Sequence, residues 1–173
     1  MGVEGYSQRV YGDGDVIFGD GSRGGEAYLI KSGQVRLWKN EAGKPVTIAL
    51  IGKGKIFGEM AVISDMPRMA SASAVGEVTC VSIDRPELHR RLDELKDHQK
   101  AALNFLIYYC GDFLPYELHD KRPTDAETRK RDDVARNLIA KKDDAPITKD
   151  LDPILSGLYQ ALVGYAQRRV PPA

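Results

Sequence analysis

The spacing of apolar residues changes once along this chain, near Asp84, and no other feature narrows its fold as much. From Val10 to Ile83, short runs rich in β-branched and aromatic residues are separated by turn residues. Ala27-Tyr28-Leu29-Ile30, Val35-Arg36-Leu37-Trp38, the run from Val46 to Ile51 and the run from Val78 to Ile83 have strand composition. Asp13-Gly14, Asp20-Gly21, Gly24-Gly25, Ser32-Gly33, Asn40-Glu41-Ala42-Gly43 and Gly52-Lys53-Gly54 have turn composition. Many short strands at near-regular spacing predict a small antiparallel β-barrel or jelly roll.

Beyond Asp84 the period is helical. Pro86 suits a first helical turn. Leu88, Leu92, Leu95, Gln99, Ala102, Leu106, Tyr109 and Phe113 then recur in steps of four and three, the spacing of one helix face. The charged stretch from Asp93 to Asp97 divides this pattern into a short helix and a longer one, and Pro115 and Pro123 close it. Thr124 with Glu127 reads as a capping box that opens a charged helix running toward Lys142. Pro146 interrupts, and Asp152-Pro153 starts a last helix. Leu151, Leu155, Leu158, Leu162 and Tyr165 form a stripe along that helix, beside the small residues Gly157, Ala161 and Gly164. Such a stripe docks on the chain's own core or completes a homodimer. The fold class is therefore α+β: an antiparallel, jelly-roll-like β-barrel with its following helices over residues 1–115, then a helical tail over 116–173.

The length of 173 residues suffices for one domain with a core and an appended helical segment. Lys plus Arg and Asp plus Glu both number 25, and this balance argues against broad binding to nucleic acid or membrane surfaces. No apolar run approaches the roughly 20 residues of a membrane span. The opening residues from Met1 to Gly5 lack the layout of a signal peptide, so a cytoplasmic location is expected. Cys80 and Cys110 form no CxxC pair and are expected to be reduced, buried thiols.

One segment carries chemistry. Between Phe57 and Ser71, Glu59 and Arg68 flank a short apolar turn. A carboxylate accepts hydrogen bonds from sugar hydroxyls, and a guanidinium presents a planar fork to phosphate oxygens. Gly58 permits a backbone conformation or close approach denied to other residues. The run from Glu59 to Ile63 fits one helical turn with free N–H groups at its start. Pro67 stiffens the return toward Arg68. Pairing of Glu59 with Arg68 is the simpler alternative.

The order of these residues resembles the phosphate-binding cassette of cyclic nucleotide-binding domains. The pattern stands here as Phe57-Gly58-Glu59-Met60-Ala61, a spacer from Val62 to Met66, and Pro67-Arg68-Met69-Ala70-Ser71. Val16-Ile17-Phe18-Gly19-Asp20-Gly21 and the run from Gly25 to Val35 look like the family's preceding strands and turns. The run from Asp84 to Leu92 resembles the short helix after its barrel. The resemblance covers about residues 10 to 115.

It implies a regulatory protein without catalysis, whose ligand is cAMP or cGMP and which needs no metal. Glu59 would accept from the ribose 2′-hydroxyl. Arg68 would bind the cyclic phosphate with backbone N–H groups around Gly58, Met60 and Ala61, and Met69 and Ala70 would complete the site. The purine would be covered by the long helix, around Leu103, Leu106 and Ile107. Met69 departs from the Ala, Ser or Thr frequent at its position, which removes a hydroxyl and favours cAMP over cGMP. It also admits a domain that lost its ligand and serves as a protein-interaction module.

Two other classes are weaker. A cupin-type enzyme would hold a metal with barrel histidines, whereas His89, His98 and His119 all follow the strand region. A catabolite-activator-like transcription regulator would carry a helix-turn-helix, and the tail from Asp120 has only a degenerate basis for one. Nucleic acid is therefore not an expected partner. A downstream protein or a second copy is.

Overall fold

The computed structural model describes residues 6–111, 124–143 and 145–170. The chain forms two compact units, one up to Arg91 and one from Leu92 on. The first contains β1 (Tyr6–Tyr11), β2 (Val16–Phe18), β3 (Glu26–Glu41), β4 (Lys44–Gly52), β5 (Ile56–Phe57), α1 (Glu59–Ile63) and β6 (Ser71–Asp84), followed by α2 (Arg85–Asp93). The second contains α3 (Asp97–Gly111), α4 (Asp125–Ala140), α5 (Ala145–Thr148) and α6 (Pro153–Arg169).

All strand pairs are antiparallel. The sheet runs β1-β6-β3-β4, with β2 also on β6 and β5 also on β3. This is the expected α+β, jelly-roll-like arrangement, although among the described residues no ladder joins β1 to β4 to close a barrel. Tyr28, Ile30, Val35, Phe57, Ala72, Ala74, Val78 and Cys80 form its core.

The Ser32-Gly33 turn expected between two strands is instead an irregularity inside one long strand. The inward residues of β3 are even-numbered at Tyr28 and Ile30 and odd-numbered at Val35 and Leu37. A period of two cannot make that switch without a shift, and the β3–β6 register shifts between Ile30, Ser32 and Gln34. Gly33, at φ 83°, sits in that shift. A Cβ there would strike the Glu77 carbonyl, so the shifted pairing needs glycine at this position.

The helices start and stop close to the expected places. Asp84 Oδ1 accepts from Glu87 N at 2.9 Å and caps α2. Thr124 and Glu127 form the capping box of α4. Asp152 caps α6, with Pro153 in its first turn. Pro146 lies inside the single turn α5, whereas Pro115 and Pro123 fall outside the described residues. In the second unit, α6 packs on α3 and α4, and Leu155, Leu158 and Leu162 of the apolar stripe are buried. Buried Gln99 donates to the carbonyls of Ile147 and Lys149, which satisfies its amide and ties α3 to α5. Tyr109 joins three helices: its hydroxyl donates to Asp132 at 2.7 Å, and its carbonyl accepts from Arg169. Cys80 and Cys110 are buried thiols, and burial pushes the Cys80 thiol up to about 11.

Candidate functional site

The β5–β3 ladder places Phe57 opposite Tyr28, with the rings stacked at 5.2 Å between centroids. Gly58 then turns the chain at φ 72°, a left-handed conformation, and α1 begins at Glu59. The helical turn expected over Glu59–Ile63 is therefore present. Glu59 is only 1% exposed, and Met60 and Ala61 are buried beside it. The far end of α1 is tied by Arg85, whose Nη2 donates to Ala61 O at 3.1 Å and to Asp65 Oδ1 at 2.8 Å.

Arg68 approaches from the other side. Its backbone is clamped to the loop after β2: Arg68 N donates to Ser22 O, and Gly21 N donates to Arg68 O, both at 2.8 Å. Ser71 Oγ accepts from Asp20 N at 2.9 Å, which fixes the start of β6 against the same loop. The guanidinium turns inward and is 5% exposed. Nη1 donates to Gly58 O at 2.6 Å and Nη2 to Glu26 O at 2.7 Å. Its Cζ lies 4.1 Å from the centroid of the Phe18 ring and 5.8 Å from that of Tyr28. Nε is buried without a hydrogen-bond partner.

Burial lowers the Arg68 pKa from its ordinary value, and Tyr28, Glu26 and Glu59 act in the opposite direction. Glu59 thus supports the arginine's charge, while the two Nη hydrogen bonds run to backbone carbonyls. Beside them, the Glu26 carboxylate accepts from Arg9 at 2.6 Å and from the Tyr28 hydroxyl at 3.1 Å. Burial, then Glu26, push the Tyr28 hydroxyl up to about 12.

Of the residues singled out in the sequence, Glu59, Met60, Ala61 and Arg68 are buried. Gly58 is bonded to Arg68 through its carbonyl. Ala70 is half-buried, and Met69 is 42% exposed. Leu103 and Leu106 are fully buried in the second unit. Sequence reasoning passed over Phe18, Gly24 and the Glu26 carbonyl. Only a composition signal existed for them: an aromatic in a strand, and the Gly24-Gly25 pair read as a turn. Among the described residues, no group of three His, Cys, Asp or Glu could hold a metal ion.

An acidic group and an inward guanidinium, both buried at the end of one antiparallel sheet, can recognise a small ligand with hydroxyl and anionic groups. The sequence profile of the cyclic nucleotide-binding domain matches residues 8–94, half of the chain. The chain belongs to that family. A cyclic AMP receptor protein from Thermus thermophilus is 39% identical over 102 residues, which are 57% of this chain and 47% of that protein. A cAMP-dependent protein kinase regulatory subunit from Blastocladiella emersonii is 35% identical over 104 residues, 60% of this chain and 26% of that one. The chain thus covers less than half the length of either relative. Among solved structures, an EAL enzyme in a half-site-occupied form superposes with a TM-score of 0.57 at 24% identity, covering 60% of this chain and 93% of that one. That likeness is one of fold alone.

Proposed function

We propose that this chain is a cytoplasmic regulatory protein that binds a cyclic nucleotide, with cAMP preferred over cGMP, at the site built by Gly58, Glu59, Met60, Ala61, Arg68, Met69 and Ala70. The observation that carries this reading is the buried Arg68 guanidinium beside Glu59, inside the family match. Arg68 meets the cyclic phosphate, helped by backbone N–H groups around Gly58, Met60 and Ala61. Glu59 accepts from the ribose 2′-hydroxyl. The names of the two curated relatives, a cyclic AMP receptor protein and a cAMP-dependent kinase regulatory subunit, favour cAMP. So does Met69, which offers no hydroxyl to a guanine or a phosphate. Occupancy is passed to the helices that follow, and those helices meet a downstream protein or a second copy.

Calorimetric titration with cAMP, cGMP and cyclic dinucleotides tests this. The wild type binds cAMP most tightly. Arg68→Ala, which loses charge-assisted hydrogen bonds, weakens binding about tenfold or more. An Arg68→Ala variant that binds as the wild type does would remove the site assignment. The exposure and bulk of Met69 favour one second reading, an interaction module without a ligand. Absence of heat with every nucleotide, from folded protein, would select that reading.

A further inference from the structure

Gly24 lies in the irregular stretch between β2 and β3, and its φ is outside the left-handed region. Its backbone therefore gives no reason for glycine. Its surroundings do. A Cβ built on Gly24 would overlap Cζ and Nε of Arg68 and come within 2.6 Å of Nη2. At the neighbouring Gly25 a Cβ would meet nothing within 4 Å. The Arg68 guanidinium thus occupies a slot with Gly24 on one wall and Gly58 on another, where a Cβ would also strike Nη1. The Phe18 ring covers its face, and the carbonyls of Glu26 and Gly58 hold its two Nη atoms.

We propose that Gly24 is a positioning residue for Arg68: its missing side chain keeps open the slot in which the guanidinium bridges the Glu26 and Gly58 carbonyls and is held ready for an anionic ligand. This rests on the reading of Arg68 as the phosphate-binding group. Each Nη carries two N–H bonds, so one inward hydrogen bond from each leaves a second donor for phosphate oxygens. A guanidinium fixed beforehand loses less freedom when the ligand arrives, and the affinity gains by that difference.

The three atoms nearest to an alanine Cβ at position 24 all belong to the Arg68 side chain, which moves aside. The fold is therefore kept while the donor group is displaced. In calorimetric titration with cAMP and cGMP, Gly24→Ala weakens binding about tenfold or more. Its melting temperature falls no further than that of Arg68→Ala, which loses the same two inward hydrogen bonds. Gly25→Ala changes neither. In an Arg68→Ala background, Gly24→Ala has no further effect on affinity, because no guanidinium is left to displace. The NMR resonance of Arg68 Nε in ligand-free protein moves in Gly24→Ala and not in Gly25→Ala.

Wild-type protein that binds, with Gly24→Ala binding equally well, overturns the proposal and leaves the ligand reading standing. Wild type that binds neither nucleotide removes the ligand reading, while a moved Nε resonance still supports the slot as the seat of the guanidinium. If Gly24→Ala does not fold, the Gly24→Ala/Arg68→Ala double variant decides. Recovery of the fold supports the slot, and continued failure assigns Gly24 a backbone role and overturns the proposal.

Discussion

A buried guanidinium is costly unless its donors find acceptors, and Arg68 offsets part of that cost with two main-chain carbonyls and an aromatic face. Main-chain acceptors cannot titrate or rotate away, so the group is fixed by the fold itself. The local part of this site was legible because Gly58, Glu59 and Arg68 lie within one short segment of sequence. The slot was not. Phe18, Gly24 and Glu26 reach Arg68 only because residues 21 and 22 pair with residue 68, and no local pattern announces that rung. Glu87 shows the same physics in a structural role. It is 5% exposed and accepts from Arg90 Nε at 2.6 Å, Arg90 Nη2 at 2.7 Å and Arg91 Nε at 2.8 Å. The hydrogen bonds from Arg90 hold its pKa below the usual glutamate value, against the opposing effect of burial. A carboxylate with a depressed folded pKa contributes stability above its unfolded pKa, near about 4.3, and loses it as pH falls through the folded value. Glu87→Gln is therefore expected to lower stability by about 1–3 kcal/mol at pH 7. In urea melts from pH 7 downward the gap to wild type closes only below the ordinary glutamate range. A gap independent of pH would show that charge at Glu87 is not what stabilises α2.

At the scale of elements, the sequence was most readable where one residue type has one local job. The capping box at Thr124 and Glu127 and the Asp152-Pro153 start of α6 depend on their own turn alone, and both stand where they were expected. Ser32-Gly33 was misread because a positive-φ glycine serves a reversal and an irregular strand pairing equally well. Only the partner strand distinguishes them: β6 pairs with β3 on both sides of Gly33. The β3–β4 hairpin is a true reversal. Glu41 pairs with Lys44, and the two-residue loop has Ala42 at φ 51° and Gly43 at φ 81°. Two positive φ values define the tight turn that matches strand twist, and alanine is poorly suited to the first of them. Ala42→Asn, which tolerates this conformation, should stabilise the fold by about 0.5–1 kcal/mol. In a calorimetric scan this is a rise of about 1–4 °C. An unchanged or lower transition would mean that Ala42 carries no appreciable strain.

At the scale of the whole molecule, occupancy of a pocket in the first unit matters only if the second unit responds. Arg85 holds the carbonyl of Ala61, itself a residue of the proposed site, and the carboxylate of Asp65, and is the first residue of α2. That helix runs through Arg91, where the first unit ends, to Asp93 in the second. Under the proposed coupling, a ligand that prefers one placement of α1 would bias α2 through Arg85, and only by its differential affinity for the two placements. Saturation with cAMP should therefore change amide exchange in α3 and α6 as well as in α1. The proposed coupling ends if residues 97–169 exchange identically with and without ligand while α1 is protected. Arg85→Ala separates binding from transmission. The hydrogen bonds and ring contact of Arg68 do not run through Arg85, so cAMP still binds and the exchange response is read at saturation. The exchange response beyond Asp97 shrinks, because the side-chain link from α1 to α2 is gone.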